Sequence, residues 1–234
     1  MIYLDNGATT KVAEEVVKRM NEVMLDSYGN PSSLHSLGQE AHSLIEETRE
    51  LVAKELNANA EEIIFTSGGS EANNLALNLL EKGDHFITSK IEHHSIEVTV
   101  KELEKKGIEV TLLKVDEEGN IDLDMLKNNI KKNTKLVSVI HGNNEIGTVQ
   151  DLVKIGKICA EKKVMFHSDC VQSFRKERID VIKMNLAMVS LSGHKIHAPK
   201  GIGCLYVRKN VKIKPLIIGG SQEGKKRAGT ENVP

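Results

Sequence analysis

Tryptophan is absent from this sequence of 234 residues, and aromatic residues make up only 3% of it. The buried core must therefore rest on Ile, Leu, Val and Met. The three cysteines, Cys159, Cys170 and Cys204, have no paired spacing, which argues against a disulfide framework and against a zinc knuckle. The sequence predicts an aliphatic core without disulfide bonds.

An excess of charge of one sign is also lacking. The chain has 32 basic and 33 acidic side chains and a net charge of -1, which does not fit electrostatic binding of nucleic acid. The longest apolar runs are too short to span a bilayer. The segment 1–5 (MIYLD) lacks the basic and apolar regions of a signal peptide. We expect a cytoplasmic protein without nucleic-acid or membrane partners.

Apolar strand-like runs alternate along the chain with amphipathic helical segments. Their periodicity predicts helices over 36–56, 71–80, 96–106 and 151–162, and strands near 63–66, 85–88, 110–113, 136–140, 164–168 and 187–191. A further strand is expected around Cys204, and a loop over 219–234. This alternation favours an α/β fold with three layers, in which helices flank a mostly parallel sheet.

The segment 66–74 (TSGGSEANN) joins a predicted strand to a predicted helix. Gly68 and Gly69 let the backbone turn sharply and present N–H groups, and Ser70 adds a hydroxyl donor. The start of a helix adds unpaired N–H groups and the positive end of its dipole, which together favour a phosphate. The alternative is a plain turn with Ser70 as the helix N-cap.

A lysine and an aspartate follow two predicted strands that we expect to be neighbours. Asp169 closes the run 164–168, and Lys195 lies just after the run 187–191. Ligands bind at such strand ends in α/β sheets. A lysine that forms a Schiff base and an aspartate at the pyridine nitrogen are what a pyridoxal 5'-phosphate (PLP) enzyme requires. The pair therefore predicts PLP as cofactor.

Five further polar residues lie near predicted strand ends. Gln172 and Asn144 are candidates to hydrogen-bond the phenolate oxygen of PLP, and His93 to stack on the ring and exchange protons. Ser192 and His194 flank the lysine and are candidate phosphate contacts. Each residue alone is explained by an ordinary turn, cap or loop contact. Together they supply what one cofactor would use.

Several motifs resemble those of the cysteine desulfurases, fold-type-I PLP enzymes of the class V aminotransferase group. They are 3–10 (YLDNGATT), 28–35 (YGNPSSLH), 65–71 (FTSGGSE), 143–147 (NNEIG), 192–195 (SGHK) and 226–234 (KRAGTENVP). The resemblance covers essentially the whole chain. It implies that residues 1–234 form the PLP-binding large domain of a PLP-dependent transferase. It further implies that residues near the N-terminus pack on a smaller C-terminal domain.

The resemblance also implies roles for the candidate residues. Lys195 is then the Schiff-base lysine and Asp169 the partner of the pyridine nitrogen. Gly69 and Ser70 hold the phosphate together with the serine and histidine beside the lysine. Thr230 reaches the phosphate of the other subunit of a homodimer.

By the same resemblance, Gln172 and Asn144 face the phenolate oxygen of PLP, and His93 stacks on the ring.

Such enzymes take sulfur from L-cysteine, leave L-alanine and hold the sulfur as a persulfide. The persulfide serves iron–sulfur cluster or thiolated-cofactor assembly, so a sulfur-acceptor or scaffold protein is an expected partner. The chemistry needs a thiolate nucleophile. In the family, that cysteine and an arginine for the substrate carboxylate lie beyond the position that matches Pro234. We therefore expect this chain to be inactive alone.

Two other functions stay open at this point. One is a truncated module that binds PLP without turning cysteine over. The other is a related PLP lyase such as a selenocysteine lyase. One local departure from the family is also notable, because Arg175 stands where relatives usually have glycine. That change matters most if the backbone has a positive φ there.

Overall fold

A computed structural model describes residues 2–234, and seven strands in these residues form one mixed sheet. The strand order is β1-β7-β6-β5-β4-β2-β3. Four neighbouring pairs are parallel, whereas β7 runs antiparallel to both β1 and β6. The strands are β1 (Ile63–Thr66), β2 (His85–Ser89), β3 (Glu109–Leu113), β4 (Thr134–Ser138), β5 (Met165–Asp169), β6 (Met188–Ser192) and β7 (Gly203–Val207). The predicted α/β fold with a mostly parallel sheet is confirmed.

Six α-helices are present in residues 2–234. They are α1 (Glu14–Asp26), α2 (Ser36–Leu56), α3 (Gly69–Leu77), α4 (His94–Lys105), α5 (Leu123–Asn129) and α6 (Leu152–Glu161). The predicted helices correspond to α2, α3, α4 and α6, with shifted ends. The segment 219–234 is loop apart from the short 3-10 turn Gln222–Lys225.

Helix α1 was not among the predicted helices, although its apolar residues recur at helical spacing. Val23 is its one buried residue, and Leu25 is 75% exposed. Glu14 and Glu15 in the first turn interact favourably with the positive end of the helix dipole. Helix α5 has only seven residues, too few to establish a helical period.

The core consists of two apolar clusters, one on each face of the sheet. Adjacent strand residues point to opposite faces, so Val137 packs in one cluster and Leu136 in the other. Phe166 and Phe86 are fully buried in the two clusters. Because the central strands are covered on both faces, most of their residues are buried, and these include polar side chains such as His167 and Ser190.

Two buried histidines cross-link the strands. The ring of His167 on β5 lies 2.8 Å from Ser138 Oγ on β4 and 3.0 Å from Ser190 Oγ on β6. His85 on β2 makes an equivalent pair of contacts with threonines on β3 and β4. Burial lowers the pKa of His167 to about 3, so its ring is neutral near pH 7. These contacts hold the central strands in register.

Within residues 2–234, no helix combines the length and apolar character needed to cross a membrane.

Candidate active site

One cavity of about 410 Å³ gathers most of the predicted site residues at the carboxyl ends of the parallel strands. This volume lies within the range of about 300–1,000 Å³ typical of small-molecule sites. Nine of the ten predicted residues line it: Gly69, Ser70, His93, Asn144, Asp169, Gln172, Ser192, His194 and Lys195.

Thr230 is the predicted residue that lies elsewhere. It is exposed and lines a separate cavity of about 260 Å³, together with Phe65 and Arg227. Within one chain the structure therefore does not bring Thr230 to Lys195.

Lys195 ends a 3-10 turn, Gly193–Lys195, that directly follows β6. Its Nζ donates hydrogen bonds to the carbonyl oxygens of Gly7 and Ala8, the latter at 2.8 Å. Burial is the main cause that lowers the pKa of Lys195, and the positive charge of Lys176 lowers it further. A lower pKa increases the fraction of neutral amine, which is the nucleophilic form.

Asp169 is the last residue of β5 and is only 3% exposed. Its Oδ2 accepts a hydrogen bond from Asn73 Nδ2 at 2.7 Å, and its Oδ1 accepts one from the Val171 N–H at 2.9 Å. Burial raises the pKa of Asp169 in spite of these two donors. A cation beside this carboxyl group would favour its ionised form.

The turn from β1 into α3 requires glycine at two positions. Gly68 has φ 153°, a conformation that residues with a side chain rarely adopt. A Cβ atom on Gly69 would lie 2.6 Å from Val171 Cγ2. The backbone can thus approach a ligand closely where the first turn of α3 leaves N–H groups without helical partners. This cradle suits an anion such as phosphate.

The segment 5–10 (DNGATT) covers one side of the cavity. Its Gly7 carbonyl oxygen also accepts a hydrogen bond from Gln172 Nε2 at 2.7 Å. Thr10 donates to the carbonyl oxygen of His194 through both its backbone N–H and its hydroxyl, each at 2.9 Å. Burial and the charges of Lys195 and Lys200 lower the pKa of His194. The segment lies within 3–10, one of the motifs that resemble the cysteine desulfurases. No periodicity in the sequence predicted that it lies at the site.

His93 is the N-cap of α4. Its Nδ1 accepts a hydrogen bond from the backbone N–H of Ser95 at 3.1 Å, so the neutral ring carries its hydrogen on Nε2. Asn144 donates through Nδ2 to Glu145 Oε1 at 2.6 Å. Both residues line the cavity, and in this structure the asparagine amide is held by its neighbouring glutamate.

None of the three cysteines lines this cavity. Cys159, Cys170 and Cys204 are all buried. Burial raises the pKa of each thiol to about 12, so these thiols are protonated near pH 7. Residues 2–234 also contain no group of three or more His, Cys, Asp or Glu side chains arranged to hold a metal ion.

A family model described as aminotransferase class-V matches residues 2–234. Among curated proteins, the cysteine desulfurase IscS of Dictyoglomus turgidum is 48% identical over 237 residues, covering 99% of this chain and 60% of that protein. The putative cysteine desulfurase IscS 1 of Bacillus subtilis is 47% identical, covering 100% of this chain and 63% of that protein. The chain thus spans about three fifths of the length of these relatives.

Solved structures show the same similarity. The structure titled SspA in complex with cysteine has a TM-score of 0.96 and 44% identity, covering 100% of this chain and 69% of that one. An apo cysteine desulfurase from Thermococcus onnurineus NA1 has a TM-score of 0.92 and 32% identity, covering 99% of this chain and 64% of that one. With a family match along nearly its entire length and cysteine desulfurases among its relatives, this chain belongs to the class-V aminotransferase family.

Proposed function

We propose that this chain is the PLP-binding part of a cysteine desulfurase, which takes sulfur from L-cysteine and leaves L-alanine. One observation carries the proposal: an amine, a buried carboxyl group and a glycine-bounded anion cradle line one cavity. The relatives named cysteine desulfurase, and the similar structure titled as a complex with cysteine, support the substrate.

The donor set of the cavity fits PLP. Asp169 is a buried carboxyl group that makes no ion pair within residues 2–234, and a protonated pyridine nitrogen is a cation that would stabilise its ionised form. Gly69 and Ser70, with Ser192 and His194, would hold the phosphate. Lys195 would bind the cofactor covalently. When bound, PLP supplies an electron sink for negative charge at the α carbon of an amino acid.

The other polar residues of the cavity would orient the PLP ring and transfer protons. Gln172 and Asn144 are amide donors on the cavity wall, suited to the phenolate oxygen. In the neutral ring of His93 the hydrogen is on Nε2, since Nδ1 accepts from the N-terminus of α4, and Nε2 is the ring atom suited to exchange a proton. Lys195, whose pKa is lowered by burial, is suited to accept a proton as a neutral amine and to return it.

Sulfur abstraction requires a thiolate, and the three thiols described here are buried and protonated. We therefore propose that these residues bind L-cysteine but do not release its sulfur by themselves. The thiol that would carry the persulfide toward iron–sulfur cluster or thiocofactor assembly is not one of these three.

The exposed position of Thr230, outside the cavity of its own chain, supports a homodimer in which this residue reaches the partner's phosphate. Sedimentation equilibrium tests this assembly. We expect a dimer that dissociates on dilution. A protein that stays monomeric at all concentrations would contradict it.

A spectroscopic titration tests the proposed function. We expect L-cysteine to change the visible absorbance of the PLP-loaded chain, whereas a Lys195→Ala variant shows no absorbance of lysine-bound PLP. With L-cysteine and a reductant, we expect negligible sulfide release. An absorbance that does not respond to L-cysteine would contradict cysteine as substrate. Sustained sulfide release would contradict the proposal that these residues do not release sulfur by themselves.

A further inference from the structure

Asn73 lies in the segment 66–74, at the start of α3, and connects two residues of the candidate site. It lies on α3 and is 1% exposed. Its Nδ2 is 2.7 Å from Asp169 Oδ2 and 2.8 Å from Ser95 Oγ. Both hydrogens of the carboxamide are therefore used, one for each acceptor.

Ser95 carries the connection onward. Its Oγ lies 2.8 Å from His93 Nδ1, and its backbone N–H donates to the same nitrogen. Since a backbone N–H can only donate, Nδ1 is an acceptor. The Ser95 hydroxyl accepts from Asn73 and donates to His93, so the hydrogen-bond directions along this chain of groups are fixed.

The orientation of the Asn73 amide follows from its surroundings. Its Oδ1 is buried and has no hydrogen-bond partner. Reversing the amide would turn that oxygen toward the carboxylate of Asp169, where two acceptors would repel, and would leave Asp169 without this donor. A buried, unpartnered oxygen is retained because the opposite orientation costs more.

We propose that Asn73 is a positioning residue that holds the Asp169 carboxyl group and, through Ser95, the ring of His93 in one hydrogen-bonded unit. This inference rests on the proposed function, since it concerns the two residues expected to contact the nitrogen and the face of PLP. The amide would set the relative orientation of the anion and the histidine before the cofactor binds.

The first test uses the chain without cofactor. The Asp169 carboxyl carbon is followed by 13C NMR against pH in the wild type and in Asn73→Ala. Because the variant loses a donor to the ionised form, we expect Asp169 to bind a proton about tenfold more tightly. Asn78→Ala is the matched control, since Asn78 caps the other end of α3 and contacts Lys214 instead. An unchanged Asp169 titration in Asn73→Ala would overturn the proposal.

The second test measures PLP affinity. We expect Asn73→Ala to weaken PLP binding about tenfold or more, and Ser95→Ala to weaken it less, because Ser95→Ala leaves the contact with Asp169 in place. Asn73→Leu has about the same side-chain size and lacks the two donors without adding a second carboxyl group beside Asp169, and it replaces the alanine variant if that variant fails to fold. Equal affinity of the wild type and the Asn73 variants would overturn the proposal. A wild type that does not bind PLP would instead refute the proposed function, while the carboxyl titration still decides the role of Asn73.

Discussion

Lys195 and Asp169 respond to the same physical cause in opposite directions. Burial disfavours the charged form of each, so it lowers the pKa of the lysine and raises that of the aspartic acid. The two side chains form no ion pair with each other; Lys195 donates to backbone carbonyl oxygens and Asp169 accepts from neutral donors. A cofactor with an electrophilic carbon and a cationic nitrogen would use both groups.

Arg175 is a residue whose backbone conformation conflicts with its side chain. Its φ is 64°, in the left-handed region that favours glycine, and its guanidinium pairs with Glu55 on the surface. We predict that Arg175→Gly is more stable than Arg175→Ala by about 1 kcal/mol in urea unfolding, because only glycine relieves the strain. Both variants lose the ion pair, so the comparison isolates the backbone. Equal unfolding free energies would contradict this account.

The sequence was sufficient to predict that Asp169 and Lys195 lie near each other, because each follows an apolar run that forms a strand of the sheet. Asn73 was not predicted as a site residue. It lies in the first turns of a helix, and its partner Asp169 is 96 positions away. Gly7, 188 positions from Lys195, was missed for the same reason. Contacts of this kind depend on how the strands order themselves in the sheet.

Among the elements, those buried on both sides were the most predictable. The central strands contain apolar runs, and the helices that cover them have apolar residues at helical spacing. These patterns predicted both kinds of element. Helix α1 has a comparable periodic pattern, but several of its apolar side chains are exposed within residues 2–234. The antiparallel direction of β7 was not predictable from its apolar run, because the run contains no information about direction.

Glu92 links the ends of two parallel strands. Its Oε1 accepts hydrogen bonds from Ser89 Oγ at 2.6 Å, at the end of β2, and from the Ile140 N–H at 3.0 Å, just after β4. The residue is half-buried, but its Oε2 is enclosed and has no partner. Burial raises the pKa of Glu92 to about 8, so the carboxyl group is mostly protonated at pH 7.

This protonation gives a pH-dependent prediction for Glu92→Gln. The raised pKa means that the stability contributed by protonated Glu92 is complete below its ordinary pKa of 4.5 and is lost as pH rises through about 8. The unfolding free energy of the wild type relative to Glu92→Gln should therefore fall over this range, by at most about 1.4 kcal/mol per pH unit. Urea unfolding of both proteins between pH 5 and pH 8 measures it.

Comparison with the glutamine variant is needed because other groups titrate as well. The depressed pKa of His167 removes stability as pH falls from its ordinary value of 6.5 toward about 3, which opposes the effect of Glu92. Both proteins keep this histidine, so its contribution cancels in the difference. A difference that is constant with pH would mean that Glu92 is ionised in the folded protein.

At the scale of the whole molecule, the parallel strands bring distant segments of the chain to one edge of the sheet. The amine after β6, the carboxyl group ending β5 and the glycine loop after β1 meet there, and the N-terminal segment covers them. Large apolar side chains such as Leu4, Leu34 and Ile218 are more than 85% exposed on the same chain.

The central claim is that Lys195 carries PLP, and borohydride reduction followed by peptide mass mapping tests it most directly. The chain is incubated with PLP, reduced to fix the lysine-bound cofactor, digested and sequenced by mass spectrometry. We predict that the label lies on the peptide containing Lys195, that Lys195→Ala abolishes it, and that Lys200→Ala, a lysine variant five residues away, retains it. Label distributed over surface lysines, or undiminished in Lys195→Ala, would contradict the account.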